Sequence, residues 1–310
     1  MKPDPKYIKI SNNQKRIELL LEELVLQPRV NALDWSKITK QTPNMKIGYP
    51  GQHLASLITG VEGVRTGARG DDLEDGTEIK SCSRVDQLDE CNNKECKKKV
   101  FRAETQCPFC GSTNIKRKKD SKWLFTIKSE DELKLVTETV DRIFLVLADY
   151  PYFENDNFEV IKFQAFEIWN RNQRHKKFHE LLNNYYYKIY LEHIKRNPNA
   201  TPAPKNFWPY SYQFYLCNPV KVFQAIVTNA NSNPQIKINL LISPLTDRSS
   251  LIPESMPTSL LNIEELKVLT KAENKHIIEP QLINEKTFEN LISISSKRTV
   301  NNKILEQTLP

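Results

Sequence analysis

Four cysteines in two closely spaced pairs limit the possible folds of this sequence more than any other feature. Four residues separate Cys91 from Cys96, two separate Cys107 from Cys110, and ten lie between the pairs. Four thiolates at such spacing can surround one tetrahedral Zn²⁺ ion without leaving an open coordination position. Unligated buried cysteines are the alternative, but they would not need to occur in pairs. The sequence therefore predicts a structural zinc site in an inserted module, residues 90–115.

Basic residues on both sides of the cysteines make this module positively charged. They are dense at residues 94–99 and 116–119, and the whole chain has a formal charge of +7. Because a positive surface attracts phosphate groups, we expect the zinc-ribbon module to contact DNA through Lys98, Lys116 and Lys118. The alternative to DNA contact is that the module only stabilises the core or a dimer, with its lysines in solvent.

Composition excludes several classes of protein. The chain is 39% hydrophobic and 27% charged, which is typical of a folded globular protein. It has no apolar run near the roughly 20 residues that span a bilayer, so no membrane partner is expected. The lysines near the N-terminus precede no apolar segment, which predicts a cytoplasmic protein without a signal peptide.

A glycine-rich acidic segment precedes the cysteines. Five of the eight glycines lie between Gly60 and Gly76. Residues 77–81 are predicted to form a short strand, which places Glu78 and Lys80 on one face. An Asp-Gly pair at residues 75–76 favours a hairpin turn that would bring Asp71 or Asp72 beside Glu78.

Two carboxylates and a lysine in this arrangement suit phosphodiester hydrolysis. Carboxylates are the hard oxygen ligands that Mg²⁺ prefers, and a bound Mg²⁺ lowers the pKa of its water. A nearby lysine can orient that water and stabilise a phosphate oxygen. Solvated charges around an ordinary surface hairpin are the alternative.

These residues resemble the catalytic signature of the PD-(D/E)xK nuclease superfamily. The resemblance implies an α/β (α+β) fold with a mixed sheet core. It also implies catalytic roles for Glu78, Lys80 and one of the two aspartates. Gly70 departs from the pattern because a proline normally precedes the aspartate, which leaves the choice between Asp71 and Asp72 open. Members often add a carboxylate from an upstream helix, for which Glu62 is the candidate; a plain loop charge is its alternative.

Three further motifs resemble type II restriction endonucleases of the MamI type. They are IGYPGQH at residues 47–53, RGDD at 69–72, and NFWPYSYQ at 206–213 with CNP at 217–219. The resemblance covers about residues 20 to 235. It implies a homodimeric, Mg²⁺-dependent site-specific deoxyribonuclease that cuts both strands of double-stranded DNA at a short palindrome, continuous or interrupted. Such an enzyme requires a partner methyltransferase that protects host DNA.

Polar residues around the aromatic third motif are predicted to contact DNA. Asn and Gln pair with adenine edges, and basic side chains bind phosphates. The alternative to DNA contact is that the aromatic residues pack in the core and the polar residues lie in loops. The predicted contacts are Arg69, Lys205, Asn206, Gln213, Asn218 and Lys221.

The order of segments predicts one nuclease core with additions. A helix at residues 14–26 is expected to stop at Pro28, and the apolar run at 143–148 is typical of a buried central strand. A further strand is predicted at 214–216 and a helix at 263–269. The core is assigned to residues 1–235, with the zinc module inserted, and residues 236–310 form a C-terminal extension.

Two rival functions share parts of this pattern. A zinc-ribbon DNA-binding protein without catalysis would keep the basic module and leave Glu78 and Lys80 without a role. A monomeric nicking repair endonuclease would use the same residues but cut one strand.

Overall fold

The computed structural model describes residues 1–65, 71–118, 120–257, 260 and 277–278. Three helices open this part of the chain, and strands with shorter helices between them follow. Its strands are β1 (Thr77–Ser83), β2 (Leu88–Cys91), β3 (Lys99–Phe101), β4 (Ile115–Lys116), β5 (Trp123–Phe125), β6 (Arg142–Asp149), β7 (Ile161–Trp169), β8 (Lys205–Phe207), β9 (Val220–Thr228), β10 (Gln235–Leu241), β11 (Met256–Pro257) and β12 (Ile277–Ile278). Its α-helices are α1 (Gln14–Leu21), α2 (Gln27–Thr39), α3 (Gly48–Thr59), α4 (Glu130–Lys134), α5 (Lys176–Tyr185), α6 (Leu191–Arg196) and α7 (Tyr212–Leu216).

A five-stranded mixed sheet in the order β1-β6-β7-β9-β10 forms the centre. β1 runs parallel to β6, and the other neighbouring strands pair antiparallel. The predicted mixed α/β class is therefore confirmed.

Strand β6 is buried along its whole length because both faces of the sheet are covered. On one face, Phe144 and Val146 pack with Leu54 and other side chains of α1 and α3. On the opposite face, Leu145 packs with Trp123 and with side chains of α5 and α7. Since successive strand residues point to opposite faces, burial on both faces explains the continuous apolar run. The predicted buried central strand is confirmed.

Close contact between α3 and β1 requires a glycine. A Cβ atom placed on Gly51 would overlap the Oγ atom of Ser81 and lie 3.7 Å from the Cβ atom of Val146. Glycine removes this clash and lets the helix approach the strand that carries Glu78 and Lys80.

The cysteine-containing segment is inserted between β1 and β5. It forms a three-stranded sheet in the order β3-β2-β4, in which β2 pairs antiparallel with both neighbours. The segment has a small core of its own around Cys91, Val100 and Cys107.

Two local predictions are wrong. Pro28 does not stop the first helix, because a π-helical turn at Glu22–Leu26 leads directly into α2, where Pro28 lies in the first turn. A proline there breaks no hydrogen bond of its own helix. Residues 214–216 are helical, not extended, because the side chain of Ser211 caps α7 by accepting from the N–H of Phe214. The predicted helix at 263–269 lies outside the described residues.

The central sheet continues past residue 235, where the sequence places the end of the core. β10 begins at Gln235 and pairs with β9. Farther along, Arg248 is fully buried against Glu167 of β7. Residues 236–241 of β10 and Arg248, which follow this boundary, thus pack with the central sheet. Among the described residues, no helix is both long enough and apolar enough to cross a membrane.

Candidate functional site

A tight turn leads from the acidic segment into β1. The N–H groups of Asp72 and Leu73 both donate to the carbonyl of Thr77, at 2.9 and 3.2 Å. Gly76 has a φ of +77°, in the left-handed region that glycine adopts without strain. Asp75 accepts from the N–H of Thr77 at 3.2 Å. The turn lies where the sequence predicts it.

The two candidate aspartates have different environments. One carboxylate oxygen of Asp72 accepts from the N–H of Ile79 at 2.7 Å, and the other accepts from Nε2 of Gln52 at 2.9 Å. Asp72 is therefore held beside the stretch of β1 that carries Glu78 and Lys80. Asp71 is exposed.

Glu78 and Lys80 lie on the same face of β1, as the strand period requires. Their side chains form an ion pair, with Glu78 buried and Lys80 partly exposed. Both line a cavity of about 110 Å³, beside Phe125 of β5. The Lys80 ammonium lies 6.0 Å from the centre of the Phe125 ring. The cavity thus combines a carboxylate and an ammonium with an apolar wall.

The predicted catalytic residues do not all lie together at one site. Within the described ranges, the cysteines are the one group of three or more His, Cys, Asp or Glu whose ligand atoms lie within 4.8 Å of one another. Asp71, Asp72 and Glu78 form no such group. Glu62 lies in a different cavity and pairs with Lys9 at 3.2 Å, so it stands apart from Glu78.

A buried ionic network holds the turn before β1. Arg142, at the start of β6, donates through Nε to the hydroxyl of Thr77 at 2.9 Å and through Nη2 to Asp75 at 2.5 Å. Its Nη1 donates to Glu167 at 3.1 Å, and Arg248 donates to the same carboxylate at 3.2 Å. Burial acts to raise the pKa of Glu167, but the two arginines outweigh it and lower the pKa below its ordinary value. The charged carboxylate therefore anchors the turn.

The predicted DNA-contacting segment lies next to this cavity. β8 pairs antiparallel with β5, which brings Lys205 opposite Phe125 and Asn206 opposite Leu124. The ammonium of Lys205 donates to Gln213 at 2.9 Å. Lys205 and Asn206 therefore lie beside β5, the strand that forms one wall of the cavity, and Gln213 contacts Lys205.

The remaining predicted DNA contacts have other surroundings. Lys221 pairs with Glu254 at 3.1 Å. Asn218 is only 3% exposed and donates to the carbonyl of Arg174 at 2.7 Å, so its amide faces the protein interior. Arg69 lies outside the described residues.

The four cysteines converge as their spacing predicts. Sγ of Cys91 lies 3.6 Å from Sγ of Cys110, and the same distance separates Cys96 from Cys107. All four sulfur atoms lie within 4.8 Å of one another. This is the donor set of a tetrahedral zinc site.

Local hydrogen bonds give two of the four cysteine thiols different pKa values. Burial acts to raise the pKa of Cys107, but the N–H groups of Phe109 and Cys110 outweigh it and lower the pKa to about 7. For Cys96, the N–H of Lys98 acts to lower the pKa, while burial and the other thiols raise it to about 12. Four thiolates cannot share this space without a cation, and a divalent metal removes that conflict.

The basic residues of the module divide into two groups. Lys98 and Lys116 are exposed, and Lys118 is half-buried. Arg117, which belongs to the same run, donates to the fully buried Asp89 at 3.0 Å and to two backbone carbonyls, so it stabilises the module. Only part of the basic run faces solvent.

The sequence analysis assigned no role to three residues that bind or neighbour the candidate site. Gln52 lies in the IGYPGQH motif but had no assigned role, although it donates to Asp72. Glu132 lines the same cavity as Glu78 and Lys80. Arg142 directly precedes the apolar run at 143–148. A charged residue at the end of a buried strand needs a partner, so its position is a signal for a buried ion pair.

Comparison with known proteins confirms the resemblance to the MamI type. The model of the MamI restriction endonuclease family matches residues 34–259. The type II restriction enzyme MamI of Microbacterium ammoniaphilum is 33% identical over 73 residues, which cover 24% of this chain and 24% of that relative. No solved structure matches the chain. Since the family match extends over well more than half of the 310 residues, the chain belongs to the MamI restriction endonuclease family.

Proposed function

We propose that this chain is a type II restriction endonuclease that hydrolyses phosphodiesters of double-stranded DNA in the presence of Mg²⁺. Family membership supports a nuclease. The observation that carries the assignment to a site is the hydrogen bond from the N–H of Ile79 to Asp72, because it holds one carboxylate beside the Glu78–Lys80 pair. We further propose that the sheet and this signature belong to the PD-(D/E)xK superfamily.

The donor set fits a hard divalent cation. Asp72 and Glu78 offer carboxylate oxygens. Glu78 already pairs with one cation, the Lys80 ammonium, whose place a metal ion would take. Bound Mg²⁺ would supply charge neutralisation at the phosphate and a water of lowered pKa. Asp72 is the better ligand of the two aspartates, because two hydrogen bonds fix its position while Asp71 is exposed.

Lys80 would act on the phosphate and on the attacking water. Its ammonium has a flexible stem and can move from Glu78 towards a phosphate oxygen of the bound DNA. The apolar wall at Phe125 excludes water from one side of the cavity, which strengthens these interactions.

The four cysteines would hold a structural Zn²⁺ ion. With four sulfur ligands, the ion has no position for a substrate and serves to fold the module. A folded module presents Lys98, Lys116 and Lys118, which would bind backbone phosphates. Lys205, Asn206 and Gln213 would contact DNA beside the cavity.

Cutting both strands at a palindrome implies a two-fold symmetric homodimer, because each copy would face one strand. Host DNA would then need protection by a methyltransferase in the same cytoplasm.

The direct test is incubation of the purified, zinc-loaded protein with plasmid DNA and Mg²⁺. We expect discrete linear fragments whose sequenced ends share one short palindrome, and no cutting in EDTA. Nicked circles alone would favour the monomeric nicking enzyme. DNA binding without any cutting would favour the zinc-ribbon DNA-binding protein, and either result would contradict the proposal.

A further inference from the structure

One side chain of helix α3 makes a hydrogen bond to Asp72, the candidate metal ligand. Nε2 of Gln52 donates to one carboxylate oxygen of Asp72 at 2.9 Å, and the N–H of Ile79 donates to the other at 2.7 Å. Because an ionised carboxylate can only accept, the amide of Gln52 must turn its N–H group towards Asp72. Both oxygens of the carboxylate are therefore fixed in direction.

The residue before Gln52 explains how α3 comes close enough for this contact. A Cβ atom on Gly51 would overlap the Oγ atom of Ser81 on β1, so a glycine is needed where the helix meets the strand. Leu54 of the same helix belongs to one buried cluster with Ile79 of β1. The helix is thus packed against the strand whose N–H group also holds Asp72, and Gln52 reaches the carboxylate from a fixed position.

The two donors to Asp72 carry no charge, unlike the ammonium that pairs with Glu78. The amide of Gln52 and the N–H of Ile79 orient the carboxylate without neutralising it. The remaining lone pairs and the negative charge of Asp72 stay available to a hard cation. Carboxylates that bind metals are commonly held in this way by hydrogen bonds from residues that do not touch the ion.

We propose that Gln52 is a positioning residue, which orients the carboxylate of Asp72 for the divalent cation through its amide N–H group. This inference rests on the proposed function, because it takes Asp72 to be a ligand of that ion. It also gives the IGYPGQH motif a physical role. Gly51 lets the helix approach β1, and Gln52 then holds the ligand.

Calorimetric titration of Mn²⁺ into the zinc-loaded protein tests this role without relying on cleavage. Gln52→Met keeps the length of the side chain but removes the donor, and we expect it to weaken Mn²⁺ binding about 10- to 100-fold. Gln27→Met is the matched control, because Nε2 of Gln27 donates to Asn31 of the same helix at 3.1 Å. Each variant loses one hydrogen bond of a helical glutamine, so their melting temperatures without Mn²⁺ should be similar. Only Gln52→Met should bind Mn²⁺ weakly.

Asp72→Asn shows whether the effect passes through the proposed ligand. It should weaken Mn²⁺ binding at least as strongly as Gln52→Met does. If Gln52→Met or Asp72→Asn bound Mn²⁺ like the wild type, Gln52 would not position a ligand. A melting temperature of Gln52→Met far below that of Gln27→Met would assign Gln52 to the stability of the fold instead. Wild-type protein that neither bound Mn²⁺ nor cut DNA would overturn the proposed function itself.

Discussion

The cysteine module and the Glu78–Lys80 cavity, which we propose to bind zinc and magnesium, differ in how their donor atoms are arranged. In the module, four sulfur atoms from two short turns already lie within 4.8 Å of one another. At the candidate catalytic site, Glu78 pairs with Lys80, and Asp72 accepts from the N–H of Ile79. A structural ion contributes to folding, whereas a catalytic ion binds together with its substrate. On our proposal, the protein's own partners would satisfy the carboxylates until the ion binds.

The two regions also differ in what holds them. The module has its own sheet and a small core around Cys91, Val100 and Cys107. The cavity depends on the packing of the whole domain, because the turn before β1 is tied to β6 and β7 through Arg142 and Glu167. Loss of zinc should therefore unfold the module and leave the rest of the protein folded. Loss of the Arg142–Glu167 network should lower both the stability of the fold and the metal affinity of the candidate catalytic site.

The largest effect should come from removing the zinc. Zinc-binding free energy is folding free energy in such a module, about 10 kcal/mol or more in small zinc domains. Cys107→Ser should abolish zinc binding and unfold residues 90–115, as measured by metal analysis and hydrogen exchange. Cys217→Ala, a buried cysteine outside the module, should keep its zinc. Full protection of residues 90–115 without zinc would refute a structural ion.

The next largest effect should come from the lysine of the cavity. Lys80→Met keeps the side-chain volume but loses the charge, and we expect cleavage to slow by about 10²- to 10⁴-fold. Mn²⁺ binding should persist, because the competing ammonium leaves Glu78. Single-turnover cleavage and calorimetry measure the two effects. A variant that cut DNA at the wild-type rate would remove Lys80 from the mechanism.

A matched pair of arginines tests the link between the network and the cavity. Arg142→Met and Arg248→Met each take one cation from buried Glu167, and each should destabilise the fold by about 3–5 kcal/mol. Only Arg142 also holds Asp75 and Thr77, so only its loss should weaken Mn²⁺ binding at a temperature where both variants are folded. Denaturant unfolding and calorimetry report the two quantities. Equal metal affinity in the two variants would show that the turn does not depend on Arg142.

The smallest effect should come from the surface of the zinc module. Lys98→Ala and Lys116→Ala should each reduce the slope of log K against log salt for DNA binding by about 1, because each removes one phosphate contact. Lys37→Ala removes an exposed lysine of α2, outside the module, and serves as control. Unchanged slopes would favour a module that only braces the fold.

The sequence predicted those features that depend on neighbouring residues. Cysteine spacing predicted the sulfur cluster, and the Asp-Gly pair before Glu78 predicted the turn into β1. The apolar run at 143–148 predicted the central strand. These signals are local because the interacting groups lie within a few residues of one another.

Features that depend on distant packing could not be predicted in this way. No sequence pattern indicated the π-helical turn at Glu22–Leu26 that leads into α2 just before Pro28. The helix at 214–216, by contrast, has a local signal, since Ser211 accepts from the N–H of Phe214. Glu132 lies more than 50 residues after Glu78, and only the fold makes both line one cavity. Our proposal of Asp72 rather than Asp71 likewise rests on the contact of Asp72 with Ile79.

The most direct test of the account is the location of a bound metal in crystals of the zinc-loaded protein soaked with Mn²⁺. Anomalous diffraction should show a manganese ion in contact with Glu78 and close to Asp72, with the Lys80 ammonium displaced from its ion pair. A protein that cuts DNA while its manganese lies away from Glu78, with the carboxylates directed into solvent, would contradict the site described here.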